Sequence, residues 1–164
     1  MDENRVLSDN GDEANIEAAL ATAIVVGHDG SAGADAALQV ALQLALDLVA
    51  PLVIVRAWSM VTAPRPSGWT FGYVPSTDEI ADAVHAELES DARTLVGRFP
   101  VVEVTYCAYH AGPAQTLIGA SRNARMLVVG CRGIGGFQEM VLGSVSDQCV
   151  RHAHCPVLVA RESS

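Results

Sequence analysis

The fold is decided by MLVVGCRGIGGFQEMVLGS, residues 126–144, where four apolar residues run directly into a segment rich in glycine. The apolar run Met126–Val129 is typical of a strand buried on both faces. The segment ends in Gly143-Ser144 at a predicted helix start, where free N–H groups, the helix dipole and the Ser144 hydroxyl favour an anion such as phosphate. The alternative that these glycines only form turns stays open, because short glycine motifs are weak signals.

The same order of strand, loop and helix recurs along the chain. Apolar runs predict strands at residues 23–26, 51–58, 101–108, 125–130 and 156–160. Helices are expected after Ser31, after Ser76 with its capping partner Glu79, after Gly112-Pro113, and over residues 144–153. Strands that alternate with helices predict an α/β fold in one domain: an open five-stranded parallel sheet with helices on both faces.

Charge divides the chain into two parts. Residues 1–22 contain six acidic residues and a single basic residue, Arg5. The whole chain of 164 residues has a net charge of −9. We therefore predict an acidic, flexible N-terminal extension at 1–22 and one domain at 23–162. An acidic chain argues against nucleic acid and anionic membranes as partners. With no basic-then-apolar leader pattern visible, we expect a cytoplasmic protein.

The basic residues narrow the possible chemistry. All ten are arginine, and the sequence contains no lysine. A Walker-A phosphate site and a Schiff-base mechanism both need lysine, so both are excluded.

Two loops hold the candidate ligand residues. Ligands of open parallel sheets bind beyond the carboxyl ends of the strands, where the strand order reverses. Gly27–Ser31 follows the first predicted strand, and Gly130–Ser144 follows the fourth. If these two strands are neighbours, the two loops face each other across one crevice.

Three motifs give the sequence a resemblance to the universal stress protein family over about residues 22–161. The pattern Gly-x2-Gly-x9-Gly-Ser is complete at Gly130, Gly133, Gly143 and Ser144. An apolar strand precedes Gly27-His28-Asp29-Gly30-Ser31, and the chain carries HAHCPVLV at 152–159. The resemblance implies the Rossmann-like strand order 3-2-1-4-5, with helices on both faces.

The resemblance also implies ATP, or another adenine nucleotide, in the crevice. Mg²⁺ could accompany it, held by the phosphates, Ser144 and water, although no second carboxylate is evident. Asp29 and Gly27 would lie by the adenosine, the backbone at Ala57 would meet the adenine edge, and Val129 would line the pocket. The residues expected around ribose and phosphates are Gly130, Gly133, Gly143, Ser144, Val145 and Ser146. His28 departs from the family pattern, in which an apolar residue or Thr is more usual.

The function expected from this resemblance is a nucleotide-dependent regulator of a stress response, acting as a homodimer through the strand Pro156–Ala160 and on an unknown protein partner. Two alternatives stay open. One is a dimeric scaffold of the same fold that does not use nucleotide, and the other is a binder of cyclic AMP or AMP. We expect no enzyme activity beyond slow ATP hydrolysis, because Asp29 is placed at the adenosine end and the cationic candidates are only Arg132 and Arg56.

Two other features carry weaker interpretations. Cys149, His152, His154 and Cys155 fall within seven residues, but their spacing suits packing better than zinc, so no metal site is expected. The connection Ser59–Pro75, with Trp69, Phe71 and Tyr73, is long enough for a lid or a docking loop, and local packing of its aromatic residues is the alternative.

Overall fold

A computed structural model describes residues 22–64, 72–133 and 142–162. The described elements run in chain order as β1 Ile24–Gly27, α1 Ala32–Leu48, β2 Leu52–Trp58, α2 Thr77–Val96, β3 Val104–His110, α3 Pro113–Ala120, β4 Met126–Gly130, α4 Ser144–His152 and β5 Val157–Ala160. The predicted extension at 1–22 falls almost wholly outside the described residues. Its boundary with a domain at 23–162 stays a prediction.

The sheet has five parallel strands in the order β3-β2-β1-β4-β5, which confirms the predicted fold class. The chain passes outward from β1 through β2 to β3, and then returns to the other side of β1 to form β4. Strand order therefore reverses between β1 and β4, and the loops that follow these two strands open on the same edge of the sheet.

Each face of the sheet is covered by two helices. In β1, Ile24 and Val26 pack with α1 and α2, for example against Leu38 and Leu88. The intervening Val25 packs on the opposite face with Leu117 of α3 and Cys149 of α4. This alternation follows from the two-residue period of a strand. It explains why both faces of the central strands are apolar.

Side chains begin the helices where the sequence predicts. Ser31 accepts a hydrogen bond from the Ala34 amide at 3.2 Å and begins α1. Ser76 and Glu79 form the full capping box of α2, each side chain bonding the other's backbone amide. The C-cap of α1 is Val49, whose side chain is 93% exposed and whose φ is 48°. A β-branched residue is strained in this left-handed region.

The third strand lies further along the chain than predicted. Residues 101–103 form a turn in which the Val102 amide donates to the Phe99 carbonyl, so the strand begins only at Val104. It extends to His110 because β2 runs to Trp58, and these two residues are register partners. The shift brings the carboxyl end of β3 level with the carboxyl end of β2.

Candidate functional site

A cleft of about 740 Å³ opens along the carboxyl edge of the sheet. It is lined by all ten residues predicted for the site: Gly27, Asp29, Ala57, Val129, Gly130, Gly133, Gly143, Ser144, Val145 and Ser146. The structure therefore places these ten residues around one cleft. Their roles toward a ligand stay a prediction.

Asp29 bridges the two loops. Its Oδ1 accepts hydrogen bonds from the Ser31 amide at 3.0 Å and the Ser31 hydroxyl at 2.6 Å, which fixes the turn into α1. Its Oδ2 lies against Gly133, where an added Cβ would collide with it. The Asp29 carboxylate is exposed at the cleft and held in place from both sides.

The three described glycines of the second loop, Gly130, Gly133 and Gly143, do not have left-handed backbone. Among the described glycines only Gly30 and Gly72 have positive φ. A Cβ at Gly130 would come within 2.6 Å of the Gly33 carbonyl oxygen, so the loop needs glycine to pack on the start of α1. A Cβ at Gly143 would meet its nearest atoms at 3.4–3.5 Å, which is ordinary contact. The packing of the described residues therefore gives no reason for glycine at 143.

The start of α4 is arranged to receive an anion. Gly143 is the N-cap, and lacking a side chain it leaves the amides of the first turn without a side-chain acceptor. Ser144 is the first helical residue, followed by Val145 and Ser146. The first N–H groups of a helix have no acceptor within it, and the helix dipole adds partial positive charge there. These donors line the cleft.

Ser146 has a different position from its neighbours. It is buried, and its hydroxyl donates to the carbonyls of Cys131 at 3.1 Å and Gly143 at 3.0 Å. The Gly143 amide also donates to the Cys131 carbonyl at 2.7 Å. The Ser146 side chain thus holds the two ends of the glycine loop together.

Arg56 and His28 form a buried network that the sequence did not predict. The Arg56 guanidinium donates from Nε to the His28 carbonyl at 3.0 Å and from Nη2 to His28 Nδ1 at 3.2 Å. The same guanidinium bonds Asp91 at 2.6 Å and Glu87 at 3.2 Å, both on α2. Arg56 is one of the two candidate cations in the sequence. Its guanidinium forms ion pairs with these two carboxylates.

This network also accounts for His28. The side chain is buried, and Nε2 lies 3.0 Å from Asp35 Oδ1 on α1. Its imidazole is therefore used to join the first loop to β2 and α1. A signal was present in the sequence, since Arg56 stands within an otherwise apolar strand and a buried arginine requires partners.

An aromatic pair forms the far wall of the cleft. Trp58 and His110, register partners at the ends of β2 and β3, stack with ring centroids 4.4 Å apart and an interplanar angle of 16°. Trp58 is buried against Ile80 and Val84 of α2. Ala57 precedes Trp58 in β2, so the backbone expected to meet a base lies next to a flat aromatic surface.

Comparisons with known proteins agree with this geometry. The model of the universal stress protein family matches residues 21–161. The chain belongs to this family.

Similar proteins fall within the same family. Universal stress protein Rv2623 of Mycobacterium tuberculosis is 36% identical over 143 residues, which are 85% of this chain and 45% of that protein. The chain thus spans about half the length of the curated relatives it matches. The solved structure of UspA from Lactobacillus plantarum has a TM-score of 0.66 at 23% identity, covering 86% of this chain and 98% of that one. A universal stress protein in complex with cAMP has a TM-score of 0.62 at 21% identity, covering 87% and 98%.

The remaining sequence hypotheses fall outside the cleft or at its edge. Across the described residues no three His, Cys, Asp or Glu side chains are grouped to hold a metal. Burial raises the pKa of the Cys149 thiol to about 11, so this universal stress protein keeps that cysteine protonated in its core. No helix in the described residues is both long and apolar enough to cross a membrane.

The Ser59–Pro75 connection is described only in part. Trp69 and Phe71 lie outside the described residues. The Tyr73 hydroxyl donates to both carboxylate oxygens of Glu79, at 2.7 and 2.8 Å, which anchors the end of the connection to the first turn of α2. Ser59, Thr62 and Pro64 line the cleft, so the connection leaves β2 along its rim.

Proposed function

We propose that this universal stress protein binds an adenine nucleotide, ATP in the first place, in the cleft between β1 and β4. The observation that carries the proposal is Gly143, a glycine that the packing of the described residues does not need, at the start of a helix whose first N–H groups have no acceptor within the helix. Backbone without a Cβ at that point lets a phosphate approach the amides of Ser144 and Val145 closely.

The other end of the cleft supports a base. The Trp58–His110 wall is flat and aromatic, and the Ala57 backbone beside it offers polar groups for the edge of a ring. The similar structure in complex with cAMP shows that a protein of this family can hold an adenine nucleotide. The Asp29 carboxylate, at the cleft between the two ends, is placed to accept hydrogen bonds from ribose hydroxyls.

The residues present fit a Mg²⁺ ion only as a companion of the phosphates. The Ser144 hydroxyl is the side-chain oxygen that lines the phosphate end, and Asp29 Oδ1 is already used by Ser31. Mg²⁺ in proteins keeps several waters and takes few protein ligands, so phosphate oxygens, water and Ser144 would hold it.

We propose binding with little or no hydrolysis. A hydrolase needs an oriented water and positive charge where the phosphoryl group transfers. Arg56 is bound by Glu87 and Asp91, and the Asp29 carboxylate is held by Ser31. The biological role that follows is regulatory: bound nucleotide alters the surface presented to a protein partner.

We further propose a homodimer through β5. Val157–Ala160 is an edge strand, and three of its four residues, Val157, Leu158 and Val159, are half-buried. An edge with free backbone groups and apolar side chains needs to be covered, and a second copy pairing along it would do so.

The test is to identify what the protein carries. Protein purified under native conditions is denatured, and the released nucleotide is identified by chromatography and mass spectrometry. About one adenine nucleotide per chain is expected, with its three phosphates intact. A protein that arrives empty, and that binds neither added ATP nor cAMP by calorimetry, would contradict the proposal and leave the dimeric scaffold as the function of the fold.

A competition series separates the ligands. ATP, ADP, AMP and cAMP compete against a fluorescent ATP analogue at equal concentrations. ATP is expected to compete best, because several amides at the start of α4 can each take a phosphate oxygen. If cAMP or AMP competes better, the site holds a single phosphate and the choice of ATP is wrong.

A further inference from the structure

We propose that the amino edge of the sheet carries a docking surface for an acidic polypeptide segment, and that the segment occupying it is the chain's own residues 1–21. The surface is formed by Arg122, Arg125, His152 and His154, which we call the basic edge. It lies at the opposite end of the strands from the cleft, so it is independent of the proposed nucleotide site.

The basic edge combines two stretches of the chain, the turn between α3 and β4 and the connection from α4 to β5. The His154 amide donates to the Ser121 hydroxyl at 2.9 Å, and the Leu127 amide donates to the Pro156 carbonyl at 2.9 Å. These bonds hold the two stretches side by side. All four residues of the basic edge are exposed.

The charge of this surface contrasts with that of the whole chain. The net charge of the chain is −9, yet no acidic residue occurs at 104–138 or at 148–161. Among the described residues, neither Arg122 nor Arg125 forms an ion pair. Two exposed arginines without a carboxylate partner create a local positive potential. A long polyanion such as nucleic acid would also meet the acidic remainder of the chain, so a short acidic peptide segment fits this surface better.

The chain's own acidic segment joins the domain at this surface. The Arg125 amide donates to the Ala23 carbonyl at 2.9 Å, so the chain enters β1 directly beside Arg125. Residues 1–21 lie outside the described residues, and their sequence contains six acidic residues against the single Arg5. Glu17 precedes Ala23 by six residues, which span at most about 20 Å. The acidic side chain nearest to β1 is therefore within reach of the basic edge.

Covalent attachment makes weak contacts sufficient. An exposed ion pair shifts an equilibrium by no more than about fivefold, so a free acidic peptide would bind this surface poorly. A short connection holds the attached segment at an effective concentration on the order of millimolar. An acidic segment of another molecule has to compete from a much lower concentration. The attached segment is therefore the occupant that the charge and the connection favour.

Cleavage by Glu-C protease tests whether the segment is held. The enzyme cuts after glutamate, and Glu13 and Glu17 both lie within residues 1–21. A docked segment is cut more slowly, because proteolysis follows the fraction of time for which the cleaved segment is open. The rate of cleavage at these two sites is measured on the full chain by mass spectrometry of the released peptides.

Arg122→Gln combined with Arg125→Gln removes the two unpaired charges from exposed positions. This variant is expected to be cut about fivefold faster than the wild type at low ionic strength. The difference is expected to disappear at about 1 M salt, where the Debye length is only about 3 Å.

The matched control is Arg93→Gln combined with Arg161→Gln, which removes the same charge from exposed positions on α2 and after β5. Its cleavage rate is expected to equal that of the wild type. Arg122→Lys combined with Arg125→Lys keeps the charge, and its rate is expected to stay within about twofold of the wild-type rate. Urea unfolding of each variant shows whether a faster rate reflects the segment or the whole fold.

Two results would overturn the inference. If the Arg122→Gln and Arg125→Gln variant is cut at the wild-type rate, or no faster than the matched control, the basic edge does not hold the segment. Cleavage of the wild type is also compared at about 1 μM and about 100 μM protein, both far below the effective concentration of an attached segment. If protection appears only at the higher concentration, the segment of a second copy occupies the surface, and its assignment to the chain's own residues is wrong.

Discussion

Replacing Gly143 with alanine tests whether the glycine serves a ligand. Its φ of −70° and ψ of 162° suit alanine, and the added Cβ would find ordinary contacts at 3.4–3.5 Å. Alanine is a poorer N-cap than glycine, which costs about 0.5–1 kcal/mol. Alanine also lowers the conformational entropy of the unfolded chain, which stabilises the variant by about 0.4–1 kcal/mol and offsets this cost. The free energy of unfolding is therefore expected to stay within about 0.5 kcal/mol of the wild-type value.

A bound phosphate would not accommodate the same methyl group. Each charge-assisted hydrogen bond lost from the start of α4 is worth about 1.5–3 kcal/mol, so ATP affinity is expected to fall by at least about tenfold. Calorimetry with ATP and urea unfolding measure the two effects. The matched control is Gly119→Ala, the same change at an exposed position of α3. An added Cβ there has no neighbour within 4 Å, so ATP affinity should stay unchanged. If Gly143→Ala binds ATP within about threefold of wild type, phosphate does not lie against this cap.

Three further predictions concern stability and reactivity. Gly130→Ala should destabilise the fold by about 1–3 kcal/mol in urea unfolding, because its Cβ would press on the Gly33 backbone, which cannot move aside as a side chain can. Val49→Gly should stabilise it by about 0.5–1 kcal/mol by removing left-handed strain at an exposed site, and an unchanged urea midpoint would contradict that strain. Iodoacetamide reacts only with a thiolate, and the pKa of the Cys149 thiol is about 11. Cys149 should therefore stay unmodified at about pH 8 in the native protein and react when the protein is unfolded in urea. Peptide mass mapping measures both, with the partly exposed Cys131 as the internal comparison.

The fold could be predicted well because its signals are local. An apolar run such as Met126–Val129 marks a strand buried on both faces, and Ser31 or Ser76 marks a helix start within three residues. The boundary of β3 could not be predicted in the same way. Val101 and Val102 look like strand residues, but pairing with β2 begins only at Val104. A strand's start depends on its neighbour, which lies some fifty residues away in the chain.

The candidate site could also be predicted only in part, and for the same reason. Residues that follow a strand could be assigned to the cleft, because parallel strands present their carboxyl ends at one edge. The contacts that fix these residues join distant parts of the chain: Arg56 to Asp91 on α2, or Gly33 to the loop after β4. Their partners become visible only when the helices are in place. Arg56 in an apolar strand indicated that such a partner existed without saying which residue it was.

The proposal that the cleft holds a phosphate without transferring it depends on which groups face that phosphate. Arg56 is paired with Glu87 and Asp91, and we propose that the amides at the start of α4, which line the cleft, are the donors that face the phosphates. Fixed amides bind a ground-state phosphate as well as a transferring one, and an interaction equal in both states lowers no barrier. If nucleotide binds here as proposed, it should persist unchanged. Release of inorganic phosphate from ATP over hours, absent in Gly143→Ala, would contradict this reasoning, because it would require a group that stabilises the transferring phosphate more than the bound one.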